Sequence, residues 1–343
     1  LVVRIVASEY ITAFRQLMYL FIQDDPTFRQ FVKVLKNFPV VSASFSCRGK
    51  KVKDKYTDTA TTGVIPISVD ESFRKIIQQE IDVFEGIYTM AGISPIYTSE
   101  VEAITLLLQD SVRLAVSTRP LTGEEKASLE TMKFYPKEFK IATDAIALIV
   151  NKQNSDSLIS VSQLSGILTG EITSWKQLDP SSRLGDLRLV FDNANSSTVR
   201  YAIDSLCNGK PLAGALNAQQ TNMDVIDYVA ATPEAIGVIG VSWVGSKSDT
   251  TNLKFSERIT VMRVSREEQP TLADSYQPYQ AYIALGQYPL VRNVYAILTD
   301  PRSGLASGFS TFLASDRGQR IILKAGLVPA TQNVRIVNVR DNL

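Results

Sequence analysis

A polar hexapeptide, from Asn195 to Arg200, contains the side chains of this sequence that are best suited to anion binding. It follows an apolar run, 187–191, that predicts a buried strand, and it opens a segment, 197–207, whose apolar residues share one helical face. The start of a helix presents backbone N–H groups without intrahelical partners and a partial positive charge, so it attracts anions. Arg200 adds a planar, permanently charged fork that suits an oxyanion such as phosphate.

Hydroxyl groups supply further donors. Within the hexapeptide these are Ser196, Ser197 and Thr198, and each of them could instead serve only as a helix cap. Two other predicted strand-to-helix turns, 70–73 and 117–119, also carry hydroxyl or charged side chains. Because open α/β sheets bind ligands at the carboxyl ends of their strands, we expect the three turns to converge on one small anion in a cleft between domains.

The composition narrows the range of functions. The chain of 343 residues has a net charge of +1, which argues against a nucleic-acid-binding protein, and it contains no histidine. The lack of histidine excludes Ser-His-Asp and Cys-His catalysis and histidine-ligated zinc or iron. The carboxylates show no convincing metal-ligand spacing, so we predict that the protein is not an enzyme and uses no metal or cofactor. No apolar run reaches the roughly 18 residues of a transmembrane helix.

The first 63 residues have the composition of a leader and a flexible polar tether, poorly ordered, rather than of a domain. The segment 44–47, Ser-Phe-Ser-Cys, is similar to a degenerate bacterial lipobox and makes Cys47 a candidate for lipidation. The leucine that usually stands three positions before the cysteine is missing, and the alternative is an ordinary free cysteine in a loop. Basic residues in the segment 48–55 could lie near anionic lipid head groups.

After the tether, predicted strands alternate with predicted helices, which is the pattern of an α/β sheet with a parallel core. The apolar strand 141–150 contains Asp144 and is long enough to cross between two domains. Two capping boxes, Thr122 to Glu125 and Ser160 to Gln163, predict helix starts. Short apolar segments, among them Tyr282 to Ala284, are further strand candidates.

Motifs spread over residues 64–330 carry a resemblance to a known family. They are Asp144 to Asn151, Gln163 to Trp175, Ser196 to Arg200, Ala235 to Gly240, Tyr288-Pro289-Leu290, and Gly318 to Pro329. In this combination and order, the chain resembles the phosphate-binding receptors of bacterial ABC phosphate importers. These are the PstS-like members of the type II periplasmic binding protein superfamily.

The resemblance implies a two-lobed type II α/β fold. Each lobe would be a mainly parallel sheet flanked by helices, with the ligand cleft between the lobes. Lobe 1 would comprise residues 64–142 and 288–338, and lobe 2 residues 143–287. The family's phosphate contacts, carried over to this chain, fall on Ser72, Ser117, Arg119, Ser196, Ser197, Thr198 and Arg200.

The chain departs from the family pattern at its first helix start. Asp70 and Glu71 stand where the family usually has neutral residues, and a carboxylate repels an anion unless the ligand donates a proton to it. Monohydrogen phosphate carries such a proton, and sulfate at neutral pH does not. Our hypothesis is that Asp70 or Glu71 accepts this hydrogen bond and rejects sulfate. The alternative is that both acids merely favour the helix N-terminus.

The function that these features predict is the capture of inorganic phosphate for ABC-type import. The receptor would be a monomer in the periplasm or cell envelope, would deliver phosphate to an inner-membrane permease, and would reach the membrane only through its lipid anchor. The alternatives are a receptor for another oxyanion such as sulfate or molybdate, a phosphate sensor, and an enzyme acting on phosphate esters.

Overall fold

The computed structural model describes residues 58–213, 217–245 and 254–332. Cys47, the leader prediction and most of the tether prediction lie outside these residues. Asp58, at the beginning of the described chain, accepts a hydrogen bond of 2.7 Å from the backbone N–H of Leu305. The chain around Asp58 thus contacts the folded part of the protein. Among the described residues, no helix has both the length and the apolar character that a membrane crossing requires.

Strands and helices alternate along the chain, as the α/β pattern predicts. The strands are β1 Gly63–Asp70, β2 Ala91–Thr98, β3 Leu114–Ser117, β4 Lys137–Val150, β5 Leu158–Ser160, β6 Arg188–Phe191, β7 Asn217–Ala218, β8 Ala235–Gly240, β9 Thr260–Val261, β10 Arg263–Ser265, β11 Ser275–Tyr276, β12 Val291–Leu298 and β13 Val328–Pro329. The helices are α1 Arg74–Ile87, α2 Glu100–Leu108, α3 Gly123–Thr131, α4 Val161–Thr169, α5 Trp175–Leu178, α6 Ser197–Tyr201, α7 Asn222–Ala231, α8 Gln280–Ala284, α9 Leu305–Ala314 and α10 Asp316–Lys324. Short 3-10 helices cover Glu71–Phe73 and Val241–Trp243, and one π-helical turn, Ala202–Leu206, follows α6.

Ten of the described strands form one mixed sheet in the order β2-β1-β3-β12-β4-β8-β6-β7, and β13 and β9 also pair with β4. The long strand β4 is shared, because its residues 137–145 pair with β12 and its residues 146–150 pair with β8. We call the β12 side of this change of partner lobe 1 and the β8 side lobe 2. Each lobe has parallel strands, β1, β2 and β3 in lobe 1 and β6, β7 and β8 in lobe 2. The strand that was expected to cross between domains is therefore the one common to both sides.

Local sequence signals explain many of the helix starts. The two predicted capping boxes form at Thr122 and at Ser160. In each, the hydroxyl accepts the backbone N–H of the residue three positions later, and the side chain of that residue accepts the backbone N–H of the capping residue. The helix predicted over 197–207 begins as expected, but only its first five residues are α-helical before the π-helical turn.

The strand predicted at Tyr282 to Ala284 is wrong, because these residues lie in α8. The backbone N–H of Ile283 donates to the carbonyl of Tyr279 at 3.0 Å, as in a helix. The ring of Tyr282 packs edge-on against Tyr276 and Tyr279, with centroid separations of 5.0 Å and 6.2 Å. An apolar run of three residues carries no periodicity that could separate a strand from one helical turn.

Glu80, in the middle of α1, is a buried acid with 0% exposure. Neither of its carboxyl oxygens has a hydrogen-bond partner within the described part of the chain. Burial raises the pKa of Glu80 from its usual 4.5 to about 9. At neutral pH the acid is therefore protonated in the folded protein and ionised in the unfolded chain. Folding takes up a proton, so this residue makes the protein less stable as the pH rises from about 4.5 to about 9.

We expect Glu80→Gln to raise the free energy of unfolding by about 5 kcal/mol at pH 8 and by less than about 0.5 kcal/mol near pH 4.5. Glutamine keeps the shape of the protonated acid and has no ionised form in the unfolded chain. Urea denaturation over this pH range measures the difference. Asp82→Asn, on the exposed face of the same helix, is the control. A gain that does not depend on pH would contradict the assignment.

Candidate functional site

The parallel strands of both lobes end at the place where the predicted turns meet. The strand ends are Asp70 for β1, Ser117 for β3, Phe191 for β6 and Gly240 for β8. Ser72 Oγ lies 3.4 Å from Ser197 Oγ in the other lobe. Nη2 of Arg200 donates to Thr118 Oγ1 at 2.6 Å, again from one lobe to the other. The three turns therefore come together as expected, with hydroxyls and guanidinium groups between the lobes.

Arg292, on β12, is a buried guanidinium that the sequence analysis did not single out. It pairs in register with Asp144 on β4, and its Nε donates to Asp144 Oδ2 at 2.8 Å. Its Nη1 donates to Ser197 Oγ at 2.7 Å and so links lobe 1 to lobe 2. Burial lowers the pKa of Arg292, but the carboxylates of Asp144 and Asp70 raise it by more, so the group stays charged.

The third nitrogen of this guanidinium, Nη2, has no hydrogen-bond partner among the described residues. It lies beside Gly240, where an added Cβ would come within 3.4 Å of it. Both side chains of the Arg292–Asp144 pair are almost fully buried, with exposures of 2% and 1%. A buried, charged donor without a partner is costly, and it is the kind of group that a bound anion satisfies.

Asp70 ends β1 and caps the following 3-10 turn, since its Oδ1 accepts the backbone N–H of Ser72 at 3.0 Å. Its other oxygen, Oδ2, is buried and has no partner in the described chain. Burial and the nearby charge of Glu100 raise the pKa of Asp70 to about 7, although Arg292 acts in the opposite direction. Asp70 can therefore change its protonation state at neutral pH. We call Asp70, Ser72, Ser197 and Arg292 the inner cluster.

Glu100, at the start of α2, is a second buried acid between the lobes, with 1% exposure. Its Oε1 accepts hydrogen bonds from Ser117 Oγ at 2.9 Å and from Thr118 N and Oγ1 at 2.7 Å and 2.6 Å. Its Oε2 forms an ion pair with Nε of Arg200. Burial opposes ionisation, but Arg200 and the Thr118 donors outweigh it and hold the pKa of Glu100 below its usual value.

Ser196 and Thr198 have mostly structural contacts. Ser196 caps α6 by accepting the backbone N–H of Val199 at 3.3 Å. Thr198 Oγ1 donates to the buried carboxylate of Asp192 at 2.5 Å, and Asn222 donates to the other oxygen of the same carboxylate at 3.1 Å. These bonds fix the turn that presents Ser197 to Arg292.

Two predicted site residues lie apart from the inner cluster. Glu71 forms a bidentate pair with Arg74, with both bonds at 2.7 Å. Arg119 forms a bidentate pair with Glu125 at 2.8 Å and 2.7 Å, next to the capping box of α3. The structure thus gives each of these charged groups a local partner, and their roles as ligand contacts stay predictions. Ser117 lies in one of the three turns that meet between the lobes, but its hydroxyl donates to Glu100.

Trp243 connects the two lobes through a hydrogen bond of its indole group. It lies in the 3-10 turn after β8, and its Nε1 donates to the carbonyl of Ser72 at 2.9 Å. The Lys75 ammonium lies 4.0 Å from the centre of its ring. Trp175, by contrast, is fully buried in lobe 2 and donates to the carbonyl of Glu234 at 3.0 Å. A separation of the lobes would therefore change the surroundings of Trp243 and leave those of Trp175 as they are.

The sequence relatives of this chain are proteins named as phosphate-binding proteins. The phosphate-binding protein PstS of Staphylococcus epidermidis is 25% identical over 207 residues, which cover 59% of this chain and 59% of that protein. PstS of Staphylococcus aureus strain USA300 is 24% identical over 226 residues, or 64% of each chain. The chain thus spans less than two thirds of the length of these curated relatives.

Solved structures show the same fold. A protein from Clostridium perfringens, described as a phosphate ABC transporter substrate-binding protein with bound phosphate, has a TM-score of 0.64 at 22% identity; the match covers 78% of this chain and all of that one. An ABC-type phosphate transport receptor from Vibrio cholerae has a TM-score of 0.58 at 21% identity, with 78% of this chain covered and 100% of the receptor. At these identities the likeness establishes the two-lobed type II fold.

A family model matches most of the chain. The model is described as a PBP superfamily domain and matches residues 55–317, well over half of the chain. The matched residues include Asp70, Ser197 and Arg292 and the shared strand β4. The chain belongs to the periplasmic-binding-protein (PBP) superfamily.

Proposed function

We propose that this protein captures inorganic phosphate between its two lobes and delivers it to an ABC-type permease. The observation that carries the proposal is a pair of unsatisfied, buried groups within the inner cluster, the charged donor Nη2 of Arg292 and the acceptor Oδ2 of Asp70. The hydroxyls of Ser72 and Ser197 lie beside them. A protonated oxyanion needs several donors and one acceptor, and this set of groups offers both.

Each group has a distinct task in the proposed complex. Arg292 supplies the positive charge, directed by its bond to Asp144. The two serine hydroxyls donate to phosphate oxygens. Asp70 accepts the hydrogen bond of the phosphate proton, so a fully ionised rival such as sulfate faces a carboxylate without a proton between them. Asp70 is a better acceptor than Glu71, because Glu71 is already paired with Arg74.

Binding of an anion at the inner cluster also requires the two lobes to move. The hydroxyls of Ser72 and Ser197, one from each lobe, are 3.4 Å apart. A tetrahedral oxyanion that accepts a hydrogen bond from each on different oxygens would hold them further apart. The lobes must therefore separate to admit the ligand and close on it afterwards, as hinge-bending binding proteins do.

Calorimetric titration of the full chain with phosphate, sulfate and molybdate tests the proposal. We expect phosphate to bind at one site with a Kd of about 1 µM or tighter and the other two anions to bind far more weakly. Trp243 fluorescence should change saturably with phosphate, and Trp243→Phe should remove this signal while the heat of binding persists. Absence of phosphate binding would refute the proposal. A preference for sulfate or molybdate would favour the other oxyanion class.

The transport role rests on the family and on the PstS name of the sequence relatives. In the proposed role the protein is a non-catalytic carrier that acts as a monomer in the periplasm or cell envelope. A phosphate sensor would need the same inner cluster. Reconstituted uptake, with phosphate import by a permease measured with and without this protein, separates the two roles.

A further inference from the structure

Arg200 and Glu100 form the most direct ion pair between the lobes in the described chain. Glu100 begins α2 of lobe 1, and Arg200 lies in α6 of lobe 2. Besides the ion pair, Arg200 Nη2 donates to Thr118 Oγ1 of lobe 1 at 2.6 Å. Its Nη1 pairs with Asp204 at 3.1 Å, in the same lobe and four residues further on.

The two arginines between the lobes differ in what they can still bind. Every guanidinium nitrogen of Arg200 has a partner, namely Glu100, Asp204 and Thr118. Nη2 of Arg292, in contrast, has none in the described residues. Arg200 is thus committed to protein groups, and Arg292 keeps a donor for a ligand.

Hydrogen bonds from lobe 1 alone orient the carboxylate of Glu100. Its Oε1 is held by the hydroxyl of Ser117 and by two donors of Thr118, all within lobe 1. Its Oε2 is the oxygen that reaches Arg200. The carboxylate therefore keeps its orientation when the lobes separate, and it presents one oxygen to the arriving guanidinium.

We propose that Arg200 and Glu100 form a clasp that holds the lobes closed and sets how long the anion stays bound. This inference rests on the proposed function and assigns Arg200 a positioning role in place of a ligand contact. In the closed form the clasp adds to the stability of the complex without touching the anion. Its loss shifts the population towards the open form, which releases the ligand.

The direction in which Glu100→Gln changes phosphate binding distinguishes a clasp from a ligand contact. With a clasp, Glu100→Gln raises the phosphate dissociation rate roughly 30-fold, the low end for breaking a charge pair of which one partner, here Glu100, is buried. If Arg200 instead contacts phosphate, Glu100→Gln frees the guanidinium and removes a negative charge, so phosphate binds more tightly. Stopped-flow measurement of Trp243 fluorescence with inorganic phosphate gives both rate constants.

Two further variants complete the test. Arg200→Gln should match Glu100→Gln, and the double variant should be no weaker than either alone. Arg320→Gln, which breaks the exposed pair with Asp316, is the control and should leave the dissociation rate as in the parent protein. A Glu100→Gln variant that binds phosphate more tightly overturns the clasp.

The clasp can also be measured without any ligand. Small-angle scattering of the ligand-free protein should give a larger radius of gyration for Glu100→Gln than for the parent. Equal radii would overturn the clasp. If phosphate fails to bind the parent protein, the proposed function falls, and the scattering comparison still decides whether Arg200 and Glu100 close the lobes.

Discussion

Replacement of Arg292 by glutamine is expected to weaken phosphate binding by roughly 30-fold to 1,000-fold, the range for a lost charge-assisted contact in a buried site. Arg292 is the charged group of the inner cluster that retains an unpaired donor, and it also orients the hydroxyl of Ser197. Loss of its charge removes both contributions. Calorimetric titration with phosphate measures the effect.

The single Arg292 variant leaves Asp144 buried without its partner, so stability must be measured with affinity. The double variant Arg292→Gln/Asp144→Asn removes both charges, so neither is left buried without its partner. It should fold and still fail to bind phosphate tightly. Asp144→Asn alone should retain much of the affinity, because the guanidinium remains. Phosphate binding by the double variant that equals the parent's would contradict the assignment of Arg292.

Replacement of Asp70 by asparagine is expected to shift the anion preference towards sulfate at pH 8. The amide donates a hydrogen bond to sulfate, where the carboxylate repels it. We expect sulfate affinity to rise roughly tenfold, because with a pKa of about 7 only about one in ten Asp70 side chains is protonated at this pH in the parent protein. Phosphate should bind more weakly, because its proton loses a charged acceptor. Titrations with both anions at one pH measure the change. Glu71→Gln, which alters a pair with Arg74 outside the inner cluster, is the matched control and should leave both affinities unchanged.

The pH dependence of the parent protein follows from the same residue. Burial, followed by the charge of Glu100, raises the pKa of Asp70 to about 7. Below this pH Asp70 is protonated and can donate to sulfate, and above it Asp70 is ionised and repels sulfate. Sulfate affinity should therefore fall about tenfold per pH unit above pH 7 in the parent protein. The Asp70→Asn variant should show no such decline. A decline that persists in the variant would exclude Asp70 as its source.

The sequence predicts the elements that carry the site better than it predicts the partners of each side chain. The run 141–150 and the three polar turns follow from apolar periodicity and from the rule that ligands lie at strand ends. Their meeting place was therefore predictable. Arg292 and Asp144 are 148 residues apart, and only the antiparallel register of β4 and β12 brings them opposite each other. The available signal was one charge in the apolar run 141–150 and one charge in β12.

Some predicted site residues lie apart from the inner cluster because nearby side chains of the same segment bind them. Arg119 lies next to a capping box whose glutamate, Glu125, it can reach within its own segment. Glu100 stands in the first turn of a helix, where an acid is ordinary, so the sequence offers no hint that Arg200 of the other lobe will meet it. Contacts across a cleft depend on how the lobes dock, and a single chain sequence carries little information about docking.

The shared strand β4 is the natural hinge for the closure proposed above. Asp144 lies two residues before Ile146, where β4 changes its partner from β12 to β8. In a rotation about this point, Arg292 would stay with lobe 1 on Asp144, and Ser197 and Arg200 would move with lobe 2. An incoming anion would then meet the charge of Arg292 first, and the moving lobe would supply the remaining hydrogen bonds afterwards.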